Sequence, residues 1–325
     1  MQFVTLAEIE AASGRIRPLA RVTPLLEVPW PVTRPAAPAF FLKCENLQPM
    51  GAFKIRGALN MLSQLPREQL VRGVITYSSG NHGQAVALAA QTLGVPATIV
   101  MPTTAPAVKV NGAKSFGAEV IFEGTTSTDR QLRAEREAAD RALTIVPPFD
   151  HPMIIAGQGT VGLEVIDAMP DLGTIFVEVG GGGLISGVSA AVKQRKPSVR
   201  VIGVEPEGAP KMTRSLEAGR PVTLPGTSSI ADGLMSIRPG DLTFAHVRQF
   251  VDEVVTVSDE SIARGVAWLF RNARLVVEPS GAVTIAAVML GLGHVDASAG
   301  SVVAIVSGGN VEPQKYAEYI VNAAM

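Results

Sequence analysis

From Gly73 onward the chain alternates short β-rich runs with helical stretches, and this rhythm restricts it to one broad architecture. VITYSS (Val74–Ser79) precedes a helix over Ala85–Gly94, and ATIVM (Ala97–Met101) precedes one over Ala105–Phe116. AEVIFEG (Ala118–Gly124) leads to a charged amphipathic helix over Thr128–Leu143. TIVPP, with a helix over Gly159–Met169, comes next, followed by TIFVEV, a helix over Leu184–Arg195 and VRVIGVEP. FVDEVVTVS ends at Ser258, whose hydroxyl can cap the next helix while Asp259 and Glu260 favour its positive end. LVVEPSG reads as an apolar strand and turn, AVTIAAVMLGL as a helix and SVVAIVSGG as a last strand before a helix over Glu312–Ala324. Such alternation predicts an α/β fold of parallel sheets covered by helices. Ligands of these folds sit beyond the carboxyl ends of the strands, which is where SSGNHG, VGGGGL, EPSG and SGGN fall.

At 325 residues the chain has room for two domains, with the polar stretch Gln64–Arg72 a candidate boundary. The 28 basic and 29 acidic residues leave a net charge of −1, which excludes a general basic surface for nucleic acid. A hydrophobic content of 47% excludes a disordered chain, since so much apolar side chain would stay wet. The single cysteine, Cys44, excludes an internal disulfide and a cysteine metal cluster, and reads as a packed apolar residue. The amino terminus shows no secretory pattern. The uncharged parts of Val74–Val108 and Pro279–Val295 are interrupted by polar residues, glycine or proline, so they read as buried strand-and-helix units rather than membrane spans. The expectation is a cytoplasmic protein.

Several loops carry residues suited to chemistry. In VGGGGL (Val179–Leu184), successive glycines let backbone N–H groups converge on an anion at a helix amino terminus; the plainer reading is a tight turn, but four glycines cost much conformational entropy for that alone. No Gly-Lys-Ser/Thr follows, so it is no Walker loop. Lys54, set among Ala52, Phe53 and Ile55, would lose solvation and become a nucleophile toward a carbonyl; a lone lysine would otherwise read as a surface residue. SSGNHGQA (Ser78–Ala85) gathers Ser78, Ser79, Asn81 and His82, enough donors for a small carboxylate, although His82 could serve structure alone. Ser307 of SGGN could donate to a ring nitrogen or cap the next helix, and Glu278 could be a buried carboxylate near the same ligand.

The segments GAFKIRGA, SSGNHGQA, VGGGGLISG, ADGL, VEPSGA and SGGN, in this order, resemble the fold-type II pyridoxal-phosphate enzymes, specifically the serine/threonine dehydratase and serine racemase group. The resemblance runs through most of the chain and implies a tryptophan-synthase-β-like fold. It implies a large cofactor-binding domain (1–68 and 150–325) and a small domain (69–149) carrying the substrate loop. It further implies that Lys54 forms the internal aldimine with pyridoxal 5′-phosphate, with Phe53 beside the ring and Asn81 on its 3′-oxygen. Gly180, Gly181, Gly182, Gly183 and the Leu184 amide would hold the phosphate. Ser307 would meet the pyridine nitrogen, and Gly233 and Glu278 would line the ring site. Ser78, Ser79, Asn81, His82 and Arg130 would surround the substrate carboxylate.

The activity so implied is an ammonia-lyase that converts a β-hydroxy amino acid, L-threonine or L-serine by default, to a 2-oxo acid and ammonia. The alternatives are an amino-acid racemase with Lys54 and Ser79 on opposite faces of the substrate, and a dehydratase for 3-hydroxyaspartate or a hydroxyectoine-derived amino acid. Outside enzymes stands a non-catalytic amino-acid-binding module, against which Lys54 argues. The family also implies a homodimer. This chain departs from the family pattern where Ala52 replaces a serine before the Phe-Lys pair. At the cation site of the racemases, Glu205 and the Ala209 carbonyl could serve, but Lys211 stands where a second acid is expected, and its ammonium would repel a metal. The short stretch after SGGN leaves no room for the regulatory domain of biosynthetic threonine dehydratases, so isoleucine feedback is not expected.

Overall fold

A computed structural model describes residues 2–33, 37–78, 80–105, 107–296 and 298–322. Ten strands form two sheets: β1 (Leu25–Glu27), β2 (Phe40–Cys44), β3 (Val74–Tyr77), β4 (Ala97–Met101), β5 (Glu119–Phe122), β6 (Thr144–Ile145), β7 (Leu172–Glu178), β8 (Arg200–Pro206), β9 (Glu253–Val257) and β10 (Ser301–Val306). The larger sheet has the order β1-β2-β10-β7-β8-β9 and the smaller β5-β4-β3-β6. All pairings are parallel except that of β1 with β2, so the expectation of parallel sheets holds apart from one short edge strand. Every residue of β7 and β10 is buried, which explains why TIFVEV and SVVAIV are nearly continuous apolar runs rather than alternating ones.

LVVEPSG forms no strand. Val277 is packed in the core, but the backbone around it is satisfied by side chain and loop: Asn46 Nδ2 donates to the Val276 carbonyl at 3.2 Å, and the Glu278 amide to the Gly308 carbonyl at 3.1 Å. With those groups engaged, no ladder is needed. Helices also begin earlier than the apolar periodicity suggested. One runs over Asn81–Leu93, taking Asn81 and His82 into its first turn, and another over Pro152–Ala168. His151 caps the latter through its side chain, and Pro152 occupies its first turn, where a missing N–H costs nothing.

The helix Lys54–Leu62 packs tightly on Pro152–Ala168. A Cβ on Gly157 would lie 2.6 Å from the Arg56 carbonyl oxygen, so only glycine permits this crossing. The same helix is anchored by a buried ion network. Arg56 is fully buried and reaches Glu45 through Nε (2.7 Å) and Nη2 (2.8 Å), and Glu164 through Nη1 (2.6 Å) and Nη2 (2.9 Å). Lys43 completes the set with a bond to Glu164. Burial alone would raise the Glu45 pKa, but Arg56, with Lys43 and the Thr23 hydroxyl, outweighs it and holds the carboxyl below its ordinary value. Removing one partner of such a network typically costs about 3–5 kcal/mol, so Lys54, two residues before Arg56, starts from a fixed point.

Candidate active site

The carboxyl ends of β3, β7 and β10 open onto one cavity of about 560 Å³. Phe53, Lys54, Ser78, Asn81, His82, Arg130, Gly180, Gly181, Gly182, Gly183, Leu184, Gly233, Glu278 and Ser307 all line it. Ser79 lies outside the described residues, and Glu205 and Ala209 line a separate buried place behind the glycine loop.

Lys54 opens its helix, and Nζ donates to the Pro148 carbonyl at 2.8 Å while standing 5.1 Å from the Phe53 ring centroid. Part of the side chain faces the cavity, but the ammonium is surrounded by protein, and this desolvation brings its pKa down to about 8. Near neutral pH a sizeable fraction is therefore free amine, the form that attacks a carbonyl.

The glycine loop follows β7 and leads into the helix Gly183–Arg195, whose first N–H groups have no intrahelical acceptor. Gly182 has φ +101°, a conformation that favours glycine. A Cβ on Gly181 would lie 2.3 Å from two carbons of the Phe149 ring. The loop is pinned from the other side, where Thr243 Oγ1 donates to the Gly181 carbonyl at 2.7 Å. Asp150, next to Phe149, accepts the amides of Asp241, Leu242 and Thr243 at 3.0–3.1 Å and so ties the 148–150 segment to the helix carrying Thr243.

On the opposite side, Asn81 donates through Nδ2 to Glu278 and accepts through Oδ1 from Asn310 at 3.0 Å. Burial raises the Glu278 pKa to about 7, against the pull of Lys109, whose Nζ is 3.9 Å away. Lys109 also pairs with Asp232, which joins the helix Ala107–Ser115 to the ADGL segment. Gly233 donates to Ser280 Oγ at 2.8 Å. His82 is buried, and its Nε2 must carry the hydrogen because its partner, 3.1 Å away, is the Val146 carbonyl. Burial and the nearby Lys54 push its pKa down to about 3, so it stays neutral, with Nδ1 buried and unpartnered. Arg130 is buried at the cavity wall, its Nε has no partner, and no carboxylate among the described residues pairs with it.

Phe149, Asp150, Lys109 and Asp232 escaped the sequence reading. Glu178, the last residue of β7, escaped it too, although a carboxylate inside an otherwise apolar strand was a visible signal.

Behind the glycine loop, Lys211 is fully buried and donates to the carbonyls of Val179 (2.7 Å), Ala209 (3.1 Å) and Leu234 (3.0 Å), with Glu205 3.3 Å away. Four acceptors surround it, a set that suits an ammonium with three hydrogens. Its nitrogen thus takes the oxygens of Glu205 and Ala209 considered for a metal. Removing it would leave the buried Glu205 without its cation, held among the described residues only by the amides of Met212 and Thr213. Lys211→Ala is expected to lose about 3–5 kcal/mol in denaturant unfolding, whereas chelator-treated wild-type protein keeps its stability and cofactor affinity. A wild-type requirement for an added divalent cation would contradict this arrangement.

A family model described as pyridoxal-phosphate dependent enzyme matches residues 16–308. The chain belongs to this family. It is 44% identical over 304 residues to an L-threonine ammonia-lyase of Geobacter sulfurreducens, covering 94% of this chain and 75% of that protein. It is 40% identical over 316 residues to a serine racemase of Schizosaccharomyces pombe, covering 97% of both. The structure of maize serine racemase superposes with a TM-score of 0.89 at 37% identity, covering 99% of this chain and 98% of that one. The fold is therefore fold-type II. The cofactor of the family, pyridoxal phosphate, fits the residues present: Lys54, with its desolvated amine, lines the cavity, and so does the glycine loop that opens the helix Gly183–Arg195, where N–H groups without intrahelical acceptors suit a phosphate.

Proposed function

We propose that the protein is an ammonia-lyase that converts a β-hydroxy amino acid, L-threonine or L-serine, to a 2-oxo acid and ammonia. The observation that carries this reading is the meeting of Lys54, with its lowered pKa, and Arg130, whose Nε has no partner among the described residues, in one cavity with the glycine loop. Lys54 holds the cofactor through its amine, and Gly180–Gly183 with the Leu184 amide bind the phosphate. Asn81 and Ser307 orient the ring, beside Phe53, Gly233 and Glu278. When bound, the cofactor supplies an electron sink for a negative charge at the substrate α-carbon. The substrate carboxylate is received by Arg130, Ser78 and the SSGNHG turn. The Lys54 amine would take the α-proton at Nζ, which its desolvation suits it to do. Neutral His82 keeps a second positive charge out of this part of the site. Ammonia release from L-threonine and L-serine, with the 2-oxo acid measured in the same samples, tests the reading; a panel including 3-hydroxyaspartate and a hydroxyectoine-derived amino acid identifies the preferred substrate.

Within the same reading, residues 69–149 form the smaller domain that brings the substrate loop, and 1–68 with 150–325 the larger one. Support comes from the four strands of the smaller sheet, which all fall between Val74 and Ile145. Among the described residues no helix is long and apolar enough to cross a membrane. A cytoplasmic homodimer completes the reading on the family resemblance, and sedimentation tests the dimer.

A racemase is the second reading, favoured by the serine racemase that matches along 97% of its length. Racemisation needs a proton on the face opposite Lys54, and the SSGNHG resemblance assigns that role to Ser79. Ser79→Ala is therefore expected to spare kcat for elimination from an L-substrate and to suppress interconversion with the D-form by about 10²-fold or more. Chiral chromatography and ammonia release on the same samples decide it. Scrambling without ammonia in the wild type would favour the racemase, and collapse of elimination in the variant would remove the two-face assignment.

A further inference from the structure

Residues 3–5 lead into the helix Leu6–Ile16 and take no part in the chemistry above, yet side chains from two distant helices hold them. The Val4 amide donates to His246 Nε2 at 3.0 Å, and the Val4 carbonyl accepts from Gln194 Nε2 at 3.0 Å. Gln194 Oε1 in turn accepts the Leu6 amide at 3.0 Å. Val4 and His246 are buried. The Phe3 ring stands edge-on to the rings of His246 and Phe250, with centroids 5.2 and 5.3 Å away.

Each side chain is set for this by its own helix. His246 Nδ1 lies 2.8 Å from the Leu242 carbonyl one turn back, so Nδ1 carries the hydrogen and Nε2 keeps the lone pair that Val4 needs. Gln194 makes the equivalent bond, from Nε2 to the Ala190 carbonyl at 3.0 Å. Imidazole and amide are thus used alike, each donating to the carbonyl four residues back and turning an acceptor to the segment.

These are the two helices that frame the glycine loop. Gln194 lies at the end of the helix Gly183–Arg195, whose first turn follows the loop, and His246 lies on the helix Asp241–Phe250. At the start of the latter, Thr243 Oγ1 and the Gly240 amide donate to the Gly181 carbonyl at 2.7 and 3.3 Å. Ser186 Oγ donates to the Thr243 carbonyl at 3.2 Å and joins the two helices near the loop, while residues 3–5 join them again farther along. Held at both places, the helices resist splaying, and the loop between their first turns keeps its N–H groups aimed. Resting on the placement of the cofactor phosphate at that loop, we propose that residues 3–5 are a strap that holds the phosphate loop in shape from behind, with His246 and Gln194 as its positioning residues.

The test is the affinity of the apoprotein for pyridoxal phosphate and for pyridoxal, which lacks the phosphate, titrated side by side by absorbance. His246→Leu leaves the Val4 amide without its acceptor. It is expected to weaken pyridoxal phosphate binding about tenfold, the upper worth of one net hydrogen bond. Pyridoxal affinity, and kcat at saturating cofactor, are expected to stay at the wild-type values, while the phosphorus NMR signal of the bound cofactor shifts. His246→Gln supplies both a donor for the carbonyl four residues back and an acceptor for Val4, as Gln194 does for its own partners, and is expected to restore the affinity. Gln194→Ala cuts the other end of the strap at an exposed residue, so it keeps the test open should His246→Leu fail to fold, and it is expected to weaken pyridoxal phosphate alone in the same sense. Unchanged pyridoxal phosphate affinity in both His246→Leu and Gln194→Ala overturns the proposal. An equal loss for pyridoxal also overturns it, since that marks a general loosening of the site, and so does His246→Gln binding as weakly as His246→Leu. A wild type that binds pyridoxal phosphate no more tightly than pyridoxal would instead remove the phosphate from the glycine loop, and with it the reading on which the strap rests.

Discussion

Lys54→Ala is expected to give a folded protein with no measurable turnover. The proposed proton-abstraction role alone is worth about 10²–10⁴-fold, and the same residue is proposed to carry the cofactor. The fold should survive because, among the described residues, Nζ has one hydrogen-bond partner, the Pro148 carbonyl, and removing the amine also removes its desolvation cost. Circular dichroism and thermal unfolding check the fold, and 2-oxo acid production checks the activity. In the wild type, cofactor capture by the apoprotein should speed up as pH rises toward about 8 and level off above it. The sign follows from the nucleophile: desolvation favours the neutral amine, and only that form attacks. Normal turnover in the variant without added amine would remove Lys54 from the mechanism.

Gly181→Asp is expected to weaken pyridoxal phosphate binding by about 100-fold or more, equivalent to about 2.7 kcal/mol. The new Cβ would lie 2.3 Å from the Phe149 ring, and the loop cannot retreat because Thr243 and the Gly240 amide both hold the Gly181 carbonyl. With the phosphate on the glycine loop as proposed, the added carboxylate would also bring a like charge near it at low dielectric. Equilibrium titration of the apoprotein, followed by absorbance, measures the change. An unchanged Kd would mean that the phosphate is bound elsewhere.

The parts of the site that could be read from the sequence are those where backbone and side chain signal together. Four glycines between an apolar strand and a helix have few structural uses, and SSGNHG and SGGN stand where strands end, so their convergence on one cavity followed from the α/β rhythm. Single residues on regular elements gave no such signal. Lys109 lies on an ordinary-looking helix, and its pairing with Asp232 joins residues 123 positions apart that no local pattern connects. Lys211 was legible as a charge in an unexpected place, but its carbonyl partners come from three separate segments. LVVEPSG misled because apolar, β-branched residues describe a buried extended segment equally well, whether or not a neighbouring strand is present to pair with it. The helix start at Asn81 was missed because polar residues fill its first turn, and that at Pro152 because its cap is a histidine, His151, rather than a serine, threonine, aspartate or asparagine.

The position of β10 also bears on how the molecule assembles. Although it is the tenth strand in sequence, it lies between β2 and β7, near the centre of the larger sheet. Its exit loop closes the Lys54 segment: the Phe53 amide donates to the Ser307 carbonyl at 3.0 Å, and Asn310 reaches the Met50 carbonyl across 260 positions. Until that strand inserts, β2 and β7 present bare apolar edges and the floor of the cavity does not exist. Such non-local closure is slow and exposes surfaces prone to self-association. Cofactor uptake therefore reports that β10 has inserted, and during refolding the ligand can stabilise only chains whose central strand is already in place.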